Sequence, residues 1–277
     1  MPDRTIVLTG ASDGIGAAAA RALVQRGEQV VVVGRSASKT QAVARELDAP
    51  FHLADFARLD DVRRLADTLG STLPRIDVLA NNAGGLMGTR ELTVDGFERT
   101  LQVNHLAPFL LTHLLIEPLL AARASVITTS SAAARLFSGL DTADLQNERA
   151  YSPRKSYGDS KLANILFTAE LQRRFGDRGL SAAAFHPGVV ATNFAADSTD
   201  VMRFLYHTPL RRLLTIGPAK GADTLVWLAT HQPGVDWEPG QFYEKRRVAR
   251  TSPRAWDPAL AADLWDRSAA MVGVPVA

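Results

Sequence analysis

Tyr157 and Lys161 stand four residues apart in Tyr157-Gly158-Asp159-Ser160-Lys161, a stretch that runs on as Leu162-Ala163-Asn164-Ile165-Leu166-Phe167. Residues four apart share a helix face, so the spacing predicts Lys161 beneath the Tyr157 ring. A free tyrosine titrates near ~10. An adjacent ammonium favours the phenolate and brings the side chain toward working range as an acid or base. Such a pair can hand a proton to a carbonyl oxygen as hydride arrives, or take one from an alcohol. The same spacing recurs just upstream in Tyr151 and Lys155, but Pro153 lies between them. The residue before a proline avoids helical angles, so the upstream pair is not expected to share a face.

Hydride chemistry calls for a dinucleotide. The first apolar run ends in Thr9-Gly10-Ala11-Ser12-Asp13-Gly14-Ile15-Gly16, and an Ala-rich helical stretch follows at once. Glycines let the backbone turn sharply and approach a pyrophosphate, while the helix N-terminus offers free N–H groups and a positive dipole end. The spacing is G-x-x-x-G-x-G, not the common G-x-G-x-x-G. Folds that take NAD place an acid about 20 residues further on, against the ribose 2′-hydroxyl. Arg35 occupies that place, with Ser36 and Lys39 beyond it. A cation suits a 2′-phosphate, so NADP(H) is expected over NAD(H). Asp55 and Phe56, after the third apolar run, are candidates for covering the adenine.

Two other readings exist. Gly10-Ala11-Ser12-Asp13-Gly14 also matches G-x-S-x-G, the nucleophile elbow of serine hydrolases. That reading makes Ser12 a nucleophile and leaves Arg35, Tyr157 and Lys161 without roles. The chain is alternatively a non-catalytic NADP(H)-binding sensor or partner module, which has no need of a proton-transfer pair.

The elements that must position these groups are legible as alternating runs. Short apolar segments fall at Thr5–Thr9, Val30–Val33, Phe51–Ala54, Ile76–Ala80, Ser125–Thr129, Ala182–Phe185 and Gln241–Tyr243. Most lack polar alternation, as strands buried on both faces do. Helical stretches intervene at Ile15–Arg26, Ser38–Leu47, Leu59–Leu69, Gly96–Leu120, Lys155–Phe175 and Ala219–Thr230, with a last one over Trp256–Val272. This predicts an α/β fold: one Rossmann-type, doubly wound parallel sheet of about seven strands flanked by helices. No linker divides residues 1–277, so a single domain is expected. Leu136–Pro153 and Asn193–Pro218 read as long irregular pieces.

Composition narrows the function classes. The 277 residues carry 31 Lys plus Arg against 29 Asp plus Glu, a net charge of +2, and no cysteine. Disulfides, thiolate nucleophiles and Cys-ligated metals are excluded, and no metal is expected. The densest basic run, Lys245-Arg246-Arg247 with Arg250, reads as a solvated loop rather than a phosphate track, so no nucleic acid partner is expected. No apolar run is long enough for a signal sequence or membrane anchor, and a soluble cytoplasmic protein is the expectation.

Taken in order, the Thr9–Gly16 loop, Asn81-Asn82-Ala83-Gly84, the Ser130-Ser131 strand end, Tyr157/Lys161 and Pro187-Gly188 resemble the short-chain dehydrogenase/reductase family. The resemblance runs from Thr5 to about Gly273. It implies catalytic roles for Asn104, which holds a water near the lysine, and Ser131, which hydrogen-bonds the substrate oxygen. It makes Tyr157 the acid/base, and Lys161 the residue that binds ribose and lowers the tyrosine pKa. It implies a cofactor set of Gly10, Ser12, Asp13, Gly14, Ile15, Gly16, Arg35, Asp55, Phe56, Asn82, Ala83, Gly84, Pro187, Gly188, Val190 and Thr192, with Thr192 on the nicotinamide carboxamide. Ser130 and Asn81 are expected as structural neighbours, and His105 and His186 as packed or capping groups.

Within the family, Asn104–Thr112, Ser160–Phe167 and Leu264-Trp265-Asp266-Arg267-Ser268 resemble the retinol dehydrogenase and WW-domain oxidoreductase branch, which shares the long gap from Ser131 to Tyr157. The sequence departs at Asp13, where many NADP-preferring members carry a basic or small polar residue, and at Thr128-Thr129. Asn193–Pro218 resembles a substrate lid and holds Phe194, Met202, Phe204, Leu205, Tyr206, Leu210, Leu213 and Leu214. With the branch resemblance this implies a hydrophobic small-molecule ketone, aldehyde or alcohol. The helices at Gly96–Leu120 and Lys155–Phe175 match those through which family members form homodimers or homotetramers.

Overall fold

In the computed structural model the described residues are 4–188 and 217–276. Strand β1 (Thr5–Thr9) is buried after its first residue, and so is β2 (Gln29–Gly34). These Val- and Ile-rich runs lie between two helical layers, which is why they show no polar alternation. The remaining strands are β3 (Phe51–Leu53), β4 (Val78–Asn81), β5 (Ser125–Thr129), β6 (Ser181–His186), β7 (Phe242–Glu244) and β8 (Arg247–Val248). They form one sheet in the order β3-β2-β1-β4-β5-β6-β7-β8. Strands β1 to β7 run parallel and β8 is antiparallel to β7. The order reverses between β1 and β4, so a crevice opens beyond their C-terminal ends.

Three helices, α2 (Ala37–Leu47), α4 (Arg99–Leu101) and α7 (Ala133–Leu136), lie along the connections. One face of the sheet carries α1 (Gly14–Val24) and α9 (Pro218–Thr230), whose Leu23 and Leu225 join Ile6 and Leu8 in one core. The opposite face carries α3 (Leu59–Thr72), α5 (Ala107–Leu114), α8 (Pro153–Phe175) and α10 (Pro258–Val272). There Phe109, Phe167, Phe175 and Trp265 pack ring against ring over Val7 and Leu79. No single helix among the described residues is long and apolar enough to cross a membrane.

The structure departs from the sequence reading in four places. The stretch Gly96–Leu120 is not one helix. Gly96 sits at φ +83, and the carboxylate of Glu98 then caps a short helix, Arg99–Leu101, by accepting from Thr100 N and Leu101 N. A π-helical turn follows at Gln102–Leu106, then α5, a break at Leu115, and α6 (Ile116–Ala122). Helix α8 begins at Pro153, not at 155, because proline is suited to the first helical position and Ser152 caps it. An eighth strand appears through a two-residue turn at Lys245 (φ 52) and Arg246 (φ 61). Such turns favour Asn-Gly, so Lys-Arg gave no sign of one. Between 136 and 153 the backbone is organised by aspartates: Asp141 caps a 3-10 turn, and Asp144 accepts from Glu148 N and Arg149 N.

Candidate active site

The crevice is a cleft of about 720 Å³. Its floor at one end is the glycine loop. Gly10 lies at φ +66, and a Cβ there would come within 2.8 Å of Ala83 Cα. A Cβ on Gly16 would meet Gly10 O at 2.1 Å. Neither position can carry a side chain without displacing backbone, so the loop packs tightly against the start of α1 and against Ala83. Asp13 caps α1 by accepting from Gly14 N at 2.7 Å and holds Lys39 Nζ at 2.6 Å. Arg35 is exposed at the end of β2 and lines the same end of the cleft, with Ala54, Asp55 and Phe56 beside it. Asp55 spends its carboxylate on Ala57 N, and Phe56 is largely sunk in the core.

At the switch point Thr9 locks β1 to β4. Its hydroxyl accepts from Asn82 N and Ala83 N and donates to Ala80 O. Asn82 returns the contact by donating to Thr9 O at 3.0 Å. Asn82, Ala83 and Gly84 thereby wall the middle of the cleft. Asn81 donates to Thr112 instead, away from it.

The far end holds the buried titratable groups. Helix α8 brings Tyr157 and Lys161 onto one face, with Lys161 Nζ 5.5 Å from the tyrosine ring centroid. Lys161 is 2 % exposed. Burial depresses its pKa to about 7, and its ammonium donates to Thr129 O at 3.2 Å. Ser131 follows β5 and lines the cleft, its hydroxyl accepting from Ala133 N. Ser130 turns inward and donates to Lys161 O at 2.7 Å. Asn104 comes from the π-helical turn. Its side chain donates to Gly85 O and Thr100 O and accepts from Gly85 N, so the loop after β4 and the turn are tied together beside Lys161. Leu86, Met87, Leu136 and Phe137 form an apolar mouth, with the Arg154 guanidinium 5.9 Å over the Phe137 ring.

Of the residues expected from sequence, Tyr157, Lys161, Ser131 and the cofactor set from Gly10 to Gly188 all line this cleft. Asn104 stands behind it, fully buried. Val190 and Thr192 lie outside the described residues, as does nearly all of the 193–218 segment. Tyr151 is elsewhere and donates to Gly88 O, while Lys155 pairs with Asp159 at 2.7 Å. No hydrogen bond joins Ser12 to a histidine among the described residues, so the hydrolase arrangement is not assembled there. His105 is packed in the core, whereas His186 borders the cleft and its buried Nδ1 has no hydrogen-bond partner among the described residues. The sequence reading passed over Thr9, Glu98 and Asn164. Asn164 was findable: it is a polar residue one turn beyond Lys161 in an otherwise apolar run.

The short chain dehydrogenase family matches residues 4–202. A Streptomyces sp. (strain C5) protein named as a daunorubicin C-13 ketoreductase, DnrU, is 43% identical over 99% of this chain and 94% of its own length. Human retinol dehydrogenase 11 is 34% identical over 100% of this chain and 88% of its own. Among solved structures, an uncharacterized protein from Mycobacterium paratuberculosis superposes with a TM-score of 0.80 at 34% identity, covering 99% and 95% of the two chains.

Proposed function

The chain belongs to the short-chain dehydrogenase/reductase family and is an oxidoreductase of CH–OH or carbonyl groups, and we propose that it reduces a ketone or aldehyde on a hydrophobic small molecule with NADPH. The observation that carries this reading is one continuous cleft holding the glycine cradle, Arg35, Ser131, Tyr157 and Lys161. The close-packed glycine loop at the N-terminus of α1, lying along the cleft, fits a dinucleotide diphosphate. Arg35 fits a 2′-phosphate. The Asp13–Lys39 pair leaves Arg35 as the main positive group there. Asp55, Phe56, Asn82, Ala83, Gly84, Pro187 and Gly188 complete the cofactor wall, with Val190 and Thr192 assigned by resemblance.

Bound NADPH supplies the hydride. Tyr157 gives its phenolic proton to the carbonyl oxygen, and Ser131 donates a hydrogen bond to that same oxygen. Lys161 stabilises the phenolate left behind, since an ammonium within a buried pocket interacts more strongly than in water. Asn104 fixes the loop after β4 against Lys161. The apolar mouth supports a hydrophobic carbonyl, and a relative named as a daunorubicin C-13 ketoreductase supports a ketone.

Replacing Tyr157 with Phe is expected to abolish NADPH oxidation in a carbonyl screen while NADPH still raises the melting temperature; surviving turnover would refute the role of Tyr157. NADPH should raise the melting temperature more than NADH, and Arg35→Asp should reverse that order. Equal shifts in wild type would remove Arg35 from the cofactor assignment.

A further inference from the structure

Behind Lys161 lies a buried chain of polar groups that runs from α8 through the π-helical turn to α10. Asn164 Nδ2 donates to Asn104 O at 3.0 Å and to Thr129 O at 3.1 Å. Thr129 O is also the acceptor of the Lys161 ammonium. Asn164 Oδ1 meets His105 Nδ1 at 3.3 Å, and His105 Nε2 meets Ser268 Oγ at 2.9 Å. Ser268, His105 and Asn164 are 0%, 1% and 2% exposed.

The directions of these bonds follow from elimination. Two carbonyls face one end of the Asn164 amide, so that end is the NH2 group and Oδ1 faces His105. Oδ1 can only accept, so His105 Nδ1 carries a hydrogen. Burial holds the His105 pKa down at about 4, so the ring is neutral near pH 7 and Nε2 is bare. Nε2 then accepts from the Ser268 hydroxyl. Every member of the chain donates toward Lys161's own acceptor.

The reason for the set lies in the backbone. In a regular helix the carbonyl of Asn104 takes its hydrogen from the amide of residue 108. That residue is Pro108, which has no N–H. The π-helical turn at Gln102–Leu106 shifts the pairing there, with Ala107 N reaching back to Gln102 O. Asn164 supplies the donor that Pro108 lacks. An amide passes no protons at neutral pH, so this is an orienting set rather than a proton wire.

We propose that Asn164, aligned by Nδ1-protonated His105 and Ser268, is a positioning residue for the reaction: it pins the Thr129 carbonyl that accepts from the Lys161 ammonium, and ties it to the Asn104 carbonyl of the π-helical turn. The inference rests on the proposed function, because it assigns Lys161 a part in turnover. Displacing a reacting group by about 1 Å costs up to ~10²-fold in rate. Asn164→Leu, close in size but without the amide, is expected to lower kcat at least about tenfold with isatin as a planar ketone probe, leaving the isatin KM within about twofold. His105→Gln, which keeps a donor for Asn164, should retain more of kcat than His105→Leu.

Long-range 15N correlation spectra of histidine-labelled protein test the orientation without turnover. They should show His105 protonated at Nδ1 in wild type, moving toward Nε2 in Asn164→Leu. The milder Ser268→Ala should loosen the same preference in a protein that keeps its core. A wild-type His105 protonated at Nε2, or an unchanged kcat in folded Asn164→Leu, would overturn the proposal. The parent reading is tested separately by Tyr157→Phe. If wild type and Tyr157→Phe turn isatin over equally, the proposed function fails while the tautomer result still decides the direction of the chain.

Discussion

The two ends of the cleft are made of different materials. At the glycine-loop end the contacts are close-packed backbone, the loop and the start of α1, with exposed side-chain charges on Asp13, Arg35 and Lys39 around them. At the reaction end they are buried side chains, with Lys161, Asn104, Asn164 and His105 each no more than 2% exposed. Exposed charges are screened by water and exchange cheaply. Buried polar groups must be satisfied together, and removing one strands its partners. Under the proposed function, cofactor preference is therefore the adjustable property and proton-transfer geometry the fixed one.

Three substitutions grade that contrast. The largest expected effect is at Lys161. Lys161→Met should lower turnover of a carbonyl substrate by ~10²–10⁴-fold, the usual contribution of a placed proton-transfer group. It should also reshape stability. Lys161 titrates at about 7 when folded and near ~10.4 when unfolded. Between those values the unfolded chain binds the extra proton, so wild-type stability rises with pH across the window, and below it burial of the cation costs its full amount. The methionine variant, free of cofactor, should therefore gain most over wild type at pH 6 and least near pH 10 in urea titrations. A pH-independent difference would show that burial does not depress the Lys161 pKa.

Next comes Gly16→Val. Its side chain would collide with Gly10 O and the Asn82 amide. Overpacking of this kind costs about 1–3 kcal/mol of folding stability, and the displaced loop should bind NADPH measurably more weakly. Undiminished affinity would mean that the cradle is not where the diphosphate rests. The smallest effect belongs to the exposed pair Arg21–Glu46, bonded at 2.6 Å on the outer surface. Arg21→Ala should cost no more than ~1 kcal/mol and leave turnover untouched; a larger loss would mean that water does not screen the surface charges of this protein as the contrast requires.

Most of the fold was legible because the strands are buried on both faces and carry unbroken apolar runs. Thr5–Thr9 and Ser125–Thr129 end where their apolar runs end. The stretch after Gly96 was not legible, because its apolar residues continue across breaks that depend on a buried Glu98 cap and on Pro108. Those are tertiary facts: Glu98 also accepts from Ser156 on α8 at 2.8 Å. The residues lining the cleft were legible from motifs, since each sits at the C-terminal end of a strand or on the Tyr157 face. What lay beyond reach was the layer behind them. Nothing in the spacing of Asn164, His105 and Ser268 brings them together; only the packing of α10 against α8 does.

That packing makes α10 a seal. It brings Ser268 and Trp265 over His105 and the aromatic cluster and closes them from water. With α10 undocked, His105 Nε2 would lose its Ser268 partner and the polar groups behind Lys161 would meet solvent. Fraying of one helix far from the cleft would thus loosen the support beneath Lys161, while the glycine loop, held by β1 and β4, keeps its contacts.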